Sequence, residues 1–397
     1  MNETIFCDVC LDPLINEIRL GEFPVADHLS RDAEAAKRSA LIPVVFSLCE
    51  RCLTVNQMVR LDNEDLFPAD YHYRAGLTDD VLKGMEGLLS DLNSTYSLKG
   101  KTLIDVGTND ATLLDLAVGY GLDTTIGVEP TNAIDDNLSK KHVKFKEYFD
   151  IALAQKIRRQ FEKIDFIVFT NVFAHIDPFG PLMSAVLELM SENTVLVIEN
   201  HYLGSILDQN QFDTFYHEHP RTYSVSSFLE IAARFNLSLE KISFPARYGG
   251  NIRVFLKRSD SHEPSSLDIK KIVKGEQEKF PRKFRNLLQN MDDWAKKTSA
   301  MLAKFREEST PFFFRTFPAR SSILLGLLPE ELITGVSICE RPNSKKKNLI
   351  TVTNIKGPLK YLKNEWKFKE LNNKTQLDFS IDFELQNNFL NMIMKNY

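Results

Sequence analysis

The sequence has no apolar run approaching the ~18 residues needed to cross a bilayer. Its best candidates, Phe166 to Phe169 and Ile323 to Leu328, have the length of buried strands or short helices. Met1 to Cys10 carries neither a basic segment nor an apolar stretch of leader length, so export is not expected, and the chain reads as soluble and cytoplasmic without a membrane partner. Strong charge is missing too: the formal net charge is -5, and the main basic cluster is Lys345, Lys346 and Lys347. A polyanion is normally met by a basic stripe, so no nucleic-acid partner is expected. With 43% apolar and 26% charged residues, compositional bias is absent, which removes disordered, collagen-like and coiled-coil readings. At 397 residues the chain is too long for one core and is expected to divide into two or three domains.

Cysteine is scarce, yet four of the five fall into two matched pairs, Cys7-x-x-Cys10 and Cys49-x-x-Cys52. Disulfides are rare in a reducing compartment, and each spacing lets a tight turn present two thiolates to one ion. Two such turns close a tetrahedron around zinc, leaving no open position for substrate, so the metal would serve folding rather than chemistry. The alternative is four unrelated buried or redox cysteines. The gap from Cys10 to Cys49, with helix-forming residues from His28 to Arg38, is longer than in a compact zinc ribbon and points to an elaborated knob. Cys339 lacks a partner and is expected to be inert.

From Lys101 short apolar strands alternate with helical stretches, the pattern of a doubly wound α/β domain. The strands read Thr102 to Val106, Thr124 to Glu129, Val143 to Lys146, Ile164 to Thr170 and Thr194 to Glu199. The first ends in Asp105-Val106-Gly107-Thr108-Asn109-Asp110, a small-residue turn opening a helix, where ligands of such sheets bind. The glycine pattern G-x-G-x-x-G that lets a pyrophosphate approach is absent. One glycine followed by polar residues instead suits a zwitterionic amino-acid tail, and Glu129 can accept from both hydroxyls of a ribose. Adenosylmethionine meets both requirements. Leu237 to Phe244 and Asn251 to Lys257, joined through Tyr248-Gly249-Gly250, read as a closing antiparallel hairpin.

After the fifth strand come Asn200-His201-Tyr202 and then Gln211 to His219, dense in titratable and aromatic groups. Histidine exchanges protons near neutrality and an adjacent carboxylate can orient it, which is general-base chemistry. A metal reading of His217, Glu218 and His219 stays open; in an extended chain Glu218 would point away from the two histidines, so further ligands would be needed.

The cysteine knob, the Asp105 to Asp110 turn, Asn171 to His175, the Phe215-Tyr216-His217-Glu218-His219 run and the Gly249-Gly250 hairpin occur in this order in the sugar C-methyltransferases. The chain resembles that family from Cys7 to about Lys347. The resemblance implies a class I methyltransferase with a Rossmann-like seven-stranded sheet, an N-terminal zinc-binding knob and a nucleotide-activated 4-keto-sugar substrate, methylated at the carbon beside the ketone through an enolate. It also implies His219 as base, Glu218 as its orienting partner, Tyr216 as donor to the enolate oxygen, and Tyr73 as a contribution from the segment after the knob. Asp105, Gly107, Asn109, Asp110, Glu129, Asn171 and Phe173 would surround the cofactor.

Some positions depart from the family. Ala111 stands where the turn usually has a second glycine, and His201 and Tyr202 follow Asn200 where many relatives have a proline-containing stretch. The expected organisation is a zinc-binding domain over 1–70, a methyltransferase domain over 71–260, and a helical linker with a truncated second α/β lobe over 261–347. The β-rich tail, 348–397, resembles a fragment of a START-like ubiquinone-binding domain, as at a gene fusion. A monomer is expected. The competing readings are an O- or N-methyltransferase of another small molecule, which needs no enolate, and a non-catalytic lipid or quinone carrier suggested by the tail alone.

Overall fold

The computed structural model describes residues 4–26, 39–259, 267–315, 320–339, 359–371 and 374–385. Two compact units are present: Met1–Glu22 with Pro43–Met291, and Phe23–Ile42 with Asp292–Tyr397. The cysteine pairs and the α/β sheet thus share one unit. The helix-forming segment expected over 28–38 and the basic cluster at 345–347 lie outside the described residues.

In the first unit, β1 (Glu17–Phe23), β2 (Ile42–Leu48) and β3 (Val55–Gln57) form three strands of a small sheet. The turn before β1 and the turn between β2 and β3 carry the cysteines. Leu11 and Leu53 follow the second cysteine of each pair at φ 66° and 55°, and their amides bond to the carbonyls of Cys7 and Cys49, both at 2.9 Å. This left-handed step curls each pair around a common point.

The larger sheet has seven strands: β4 (Thr102–Val106), β5 (Thr124–Val128), β6 (Val143–Phe145), β7 (Phe166–Thr170), β8 (Val195–His201), β10 (Leu237–Ser243) and β11 (Asn251–Arg258). Their order is β10-β11-β8-β7-β4-β5-β6, parallel from β8 to β6 and antiparallel through β11 and β10. That is the class I methyltransferase sheet. Its central strands read as unbroken apolar runs because helices cover both faces. Leu103, Phe166, Val168, Val195 and Val197 pack against α1 (Asp79–Tyr96) and α2 (Thr112–Val118). Ile104, Ile167, Phe169, Leu196 and Ile198 pack on the other face with α3 (Ile151–Gln160), α4 (Phe179–Leu189) and, after α5 (Leu203–Gln209), α6 (Val225–Arg234). The expected strands are all found, and β8 runs two residues further than its apolar pattern, through Asn200 and His201.

The helical linker expected at the start of 261–347 is α7 (Leu267–Arg285) and α8 (Leu287–Glu307). Glu276 of α7 is buried at the N-terminus of α6, accepting from the amides of Val225 and Ser226 at 2.8 Å each and from Tyr202 Oη at 2.8 Å. A carboxylate there satisfies orphan helix donors and meets the positive end of the dipole. The second unit contains a parallel pair, β12 (Phe313–Arg315) with β13 (Ser337–Cys339), with a helix over Ser321–Gly326 between them in sequence, and an antiparallel ribbon of β14 (Leu359–Leu371) and β15 (Lys374–Leu385).

The small sheet is completed by β9 (Arg221–Thr222), which pairs with β3 and directly follows the histidine-rich run. Arg221 is wholly buried. Its Nη1 donates to Asp8 at 2.8 Å and to Asp177 at 2.5 Å, its Nη2 donates to the carbonyl of Ile176, and its Nε donates to Tyr223 at 3.1 Å. Arg60 bonds the same two carboxylates at 2.6 and 3.3 Å. Asp8 lies between Cys7 and Cys10, and Asp177 lies just after His175. Stripping one partner from a buried ion pair costs roughly 3–5 kcal/mol. Both carboxylates keep some solvent contact and Arg60, so Arg221→Met is expected to destabilise the first unit by about 3 kcal/mol, read as a lowered midpoint in urea unfolding.

Candidate active site

The turn after β4 is built by backbone geometry. Gly107 sits at φ +72°, and a Cβ there would come within 2.5 Å of Val172 Cγ1, so only glycine fits. The amides of Gly107 and Thr108 both bond to Val128 O, at 2.8 and 3.1 Å, tying the turn to the end of β5. Asn109 and Ala111 are also left-handed, at φ 54° and 57°. For Ala111 this costs roughly 1–2 kcal/mol, and the position tolerates a methyl group although glycine would be easier.

Glu129 closes the turn: Oε2 accepts from Asn109 N at 3.0 Å, while Oε1 accepts from Thr131 N at 3.0 Å and Thr131 Oγ1 at 2.7 Å. A carboxylate has about four acceptor sites, so capacity for ribose hydroxyls remains. Asp105 is buried beneath, and burial pushes its carboxyl up to about 7, with Glu129 and Asp110 adding to the shift. Burial likewise raises Glu129. Three carboxylates around one turn disfavour a phosphate and favour a ligand carrying positive charge, such as an ammonium or a sulfonium.

Asn109 and Asp110 have a second engagement that sequence reasoning missed. Asn109 Oδ1 accepts from Ala75 N at 2.9 Å, its Nδ2 donates to Tyr73 O at 3.2 Å, and Asp110 Oδ2 accepts from Gly76 N at 2.9 Å. These side chains therefore strap the segment Tyr73 to Gly76 across the turn. The strap holds Tyr73 beside Tyr248; the Tyr73 phenol is pushed well above its ordinary range, first by burial and next by Tyr248.

Above the ends of β7 and β8 an imidazole cluster assembles. The run Tyr216 to His219 is a turn closed by His219 N to Tyr216 O at 3.0 Å, not the extended chain in which His217 and His219 would share a face. His219, 4% exposed, places its Nδ1 2.8 Å from Thr214 O. A carbonyl accepts only, so Nδ1 carries the proton and Nε2 the lone pair. Ring centroids of Tyr216, His175 and His201 lie 4.4, 4.7 and 5.4 Å from His219. Burial pushes His175 down to about 4, so it is a neutral neighbour. His201 also stacks on Tyr248 at 5.3 Å and 20°. Tyr248 has φ 52°, with Gly249 and Gly250 following at +85° and +132°, a hairpin conformation that turns the phenol toward β8.

Asn171 joins this region through its Oδ1, which accepts from Asn251 Nδ2 at 3.2 Å; Asn251 also donates to Glu199 at 2.9 Å. Asn171 Nδ2 is buried without a hydrogen-bond partner, which fits a polar atom available to a ligand. Glu218 is buried in the same turn. Phe173 is not at the cofactor turn surface: it is fully buried among Phe169, Phe179 and Tyr223, at 5.4 to 6.1 Å. The structure therefore brings together His219, Glu218, Tyr216 and, through the strap, Tyr73, and adds His175, His201 and Tyr248. His175 was visible as the end of the Asn171 to His175 motif and Tyr248 as the residue before two glycines, but neither carries a spacing signal of its own.

The four cysteines lie apart from this cluster. All four Sγ atoms fall within 4.8 Å of one another and are buried, with Cys7 to Cys52 at 3.5 Å and Cys10 to Cys49 at 3.3 Å. Thiol donors from Cys49 and Cys52 pull the Cys7 thiol down, while Cys10, Cys49 and Cys52 are pushed up in the same cluster. The donor set and its compactness fit a tetrahedral zinc ion. Among the described residues this is the only group of His, Cys, Asp or Glu ligand atoms gathered so closely.

Residues 82–242 match the family described as Methyltransferase domain, and residues 324–397 match Polyketide cyclase / dehydrase and lipid transport. With the strand order above, the chain carries a class I, adenosylmethionine-dependent methyltransferase domain. More particularly, it is 24% identical over 252 residues to the C-methyltransferase NovU of Streptomyces niveus, covering 63% of this chain and 60% of that protein. The chain thus spans about three fifths of that relative's length. Similar solved structures include magnesium protoporphyrin IX methyltransferase (ChlM) from Synechocystis PCC 6803 with bound SAM, at 12% identity, 51% of this chain, 99% of that chain and a TM-score of 0.36. A SAM-dependent methyltransferase from Anabaena variabilis ATCC 29413 matches at 12% identity, 44% and 84% coverage and a TM-score of 0.36.

Gly107→Ala adds a Cβ against Val172 in a left-handed position. Adenosylmethionine affinity, measured by calorimetry, is expected to fall by about tenfold or more, with the far-ultraviolet dichroism of the chain retained.

Proposed function

We propose that this chain transfers a methyl group from adenosylmethionine to the carbon beside the ketone of a nucleotide-activated 4-keto-sugar. The observation that carries the reading is His219: a buried imidazole whose Nδ1 donates to Thr214 O, which leaves Nε2 as the proton acceptor, with Tyr216 against its ring. The likeness to a C-methyltransferase supports carbon as the acceptor. When bound, adenosylmethionine supplies an electrophilic methyl. The turn at Gly107, with Asp105, Asn109 and Asp110, would hold it, Glu129 would accept from its ribose hydroxyls, and Asn171 would offer an amide to its amino-acid tail.

His219 Nε2 removes the α-proton, and the Tyr216 hydroxyl donates to the oxygen on which enolate charge develops, as an oxyanion stabiliser does. Glu218 orients the turn that carries both, and Tyr73 closes the site from the strap. The buried surroundings strengthen these interactions by excluding water. An O- or N-methyltransferase would give such a base no α-carbon to work on.

The test is incubation with adenosylmethionine and a thymidine-diphosphate 4-keto-hexose in deuterated water. Solvent deuterium should enter the α-carbon, and His219→Gln should lower methylation by about 100-fold or more. Absence of exchange in the unaltered chain removes the enolate route, and an unchanged rate in His219→Gln with Glu218→Gln favours O- or N-methylation.

We further propose that Cys7, Cys10, Cys49 and Cys52 hold one structural zinc. Elemental analysis should find about one equivalent per chain, lost with cooperative folding in Cys49→Ser; metal-free protein with unchanged thermal unfolding would refute it.

A further inference from the structure

Methylation of a carbon leaves a proton behind at every turnover. The C–H electron pair becomes the new C–C bond, the S–CH3 pair stays on sulfur as a neutral thioether, and the sulfonium's positive charge is carried away by the hydrogen ion. Resting on the function proposed above, that proton is on His219, which is buried and must shed it before the next substrate can react.

The surroundings offer few exits. Burial holds His175 down to about 4, so it does not keep a proton near neutrality. Tyr216 is a weak base, and Glu218 is buried at 2% exposure. His201 differs in place and chemistry. It ends β8, where its register opposite Asn251 fixes it on a rigid element. It keeps partial solvent exposure, and its ring centroid is 5.4 Å from that of His219, within reach of a direct or one-water transfer. Its far neighbour is Tyr248, stacked at 5.3 Å, with the Arg247 guanidinium 4.8 Å from the Tyr248 ring.

We propose that His201 is the proton relay of this site, taking the hydrogen ion from His219 after each methyl transfer and passing it to solvent. Its role is exercised through His219 and not on the substrate. It therefore governs how quickly the base is regenerated, while the C–H cleavage itself belongs to His219.

The full-length protein carrying His201→Gln tests this in rapid-quench experiments with adenosylmethionine and the keto-sugar nucleotide. A first turnover of about one equivalent should persist, followed by a steady state slowed by about tenfold or more, and added imidazole buffer should restore the later turnovers. An unchanged steady state overturns the relay. So does a first turnover slowed as much as the later ones, or a slow phase that imidazole does not relieve, because a packing role alone would produce these. Solvent exchange in His219→Gln is measured alongside: if it persists there, the base assignment has failed, whatever His201→Gln does.

Discussion

A single buried guanidinium joins the two parts of the first unit. Arg221 draws together Asp8, from inside the first cysteine pair, and Asp177, from the loop after His175, and its own backbone extends the small sheet through β9. It follows Pro220 and His219 in the chain, so the residue that anchors the knob to the domain also fixes where the proposed base stands. Buried charge of this kind is costly unless every donor is matched, and here the Ile176 carbonyl and the Tyr223 hydroxyl accept from the remaining donors while Arg60 shares the two carboxylates. The cysteine knob thereby acts as a buttress for the chemical turn without contributing a reacting group.

The electrostatics of the cofactor end follow from a different constraint. A turn with one glycine admits the chain only if its carboxylates are satisfied by backbone amides and by the strap from Tyr73 to Gly76. Asn109 and Asp110 spend their oxygens on that strap, while Asp105 and Glu129 remain beneath it as raised-pKa carboxyls. The same strap carries Tyr73 to Tyr248, so the cofactor turn and the imidazole cluster are parts of one structure, linked through the hairpin at Gly249 and Gly250.

The cluster itself separates three imidazoles by environment. His175 is half-buried and pushed down by desolvation, His219 is buried with its tautomer set by a carbonyl, and His201 is half-buried at the end of β8. The proposed chemistry runs across them in one direction, from substrate to base to solvent.

Much of this was legible in the sequence because it is local. Period and length gave the strands of the parallel sheet, the doubled Cys-x-x-Cys spacing gave the cysteine cluster, and a lone glycine with carboxylates gave the cofactor turn. The Tyr216 to His219 run is dense in titratable groups by composition, although its turn conformation, closed by His219 N and Tyr216 O, was not readable from it. What the tertiary structure decided was convergence: His175 and His201 meet His219 from different elements, Tyr248 stacks on His201, and Phe173, adjacent in sequence to the site, lies in the core. Arg221 gave no signal at all, since an arginine in a strand reads as solvated surface until the two aspartates that neutralise it, one 213 residues away, are brought to it. Spacing along the chain encodes what a turn or a strand can do alone, whereas burial and the meeting of distant charges exist only once the chain has folded.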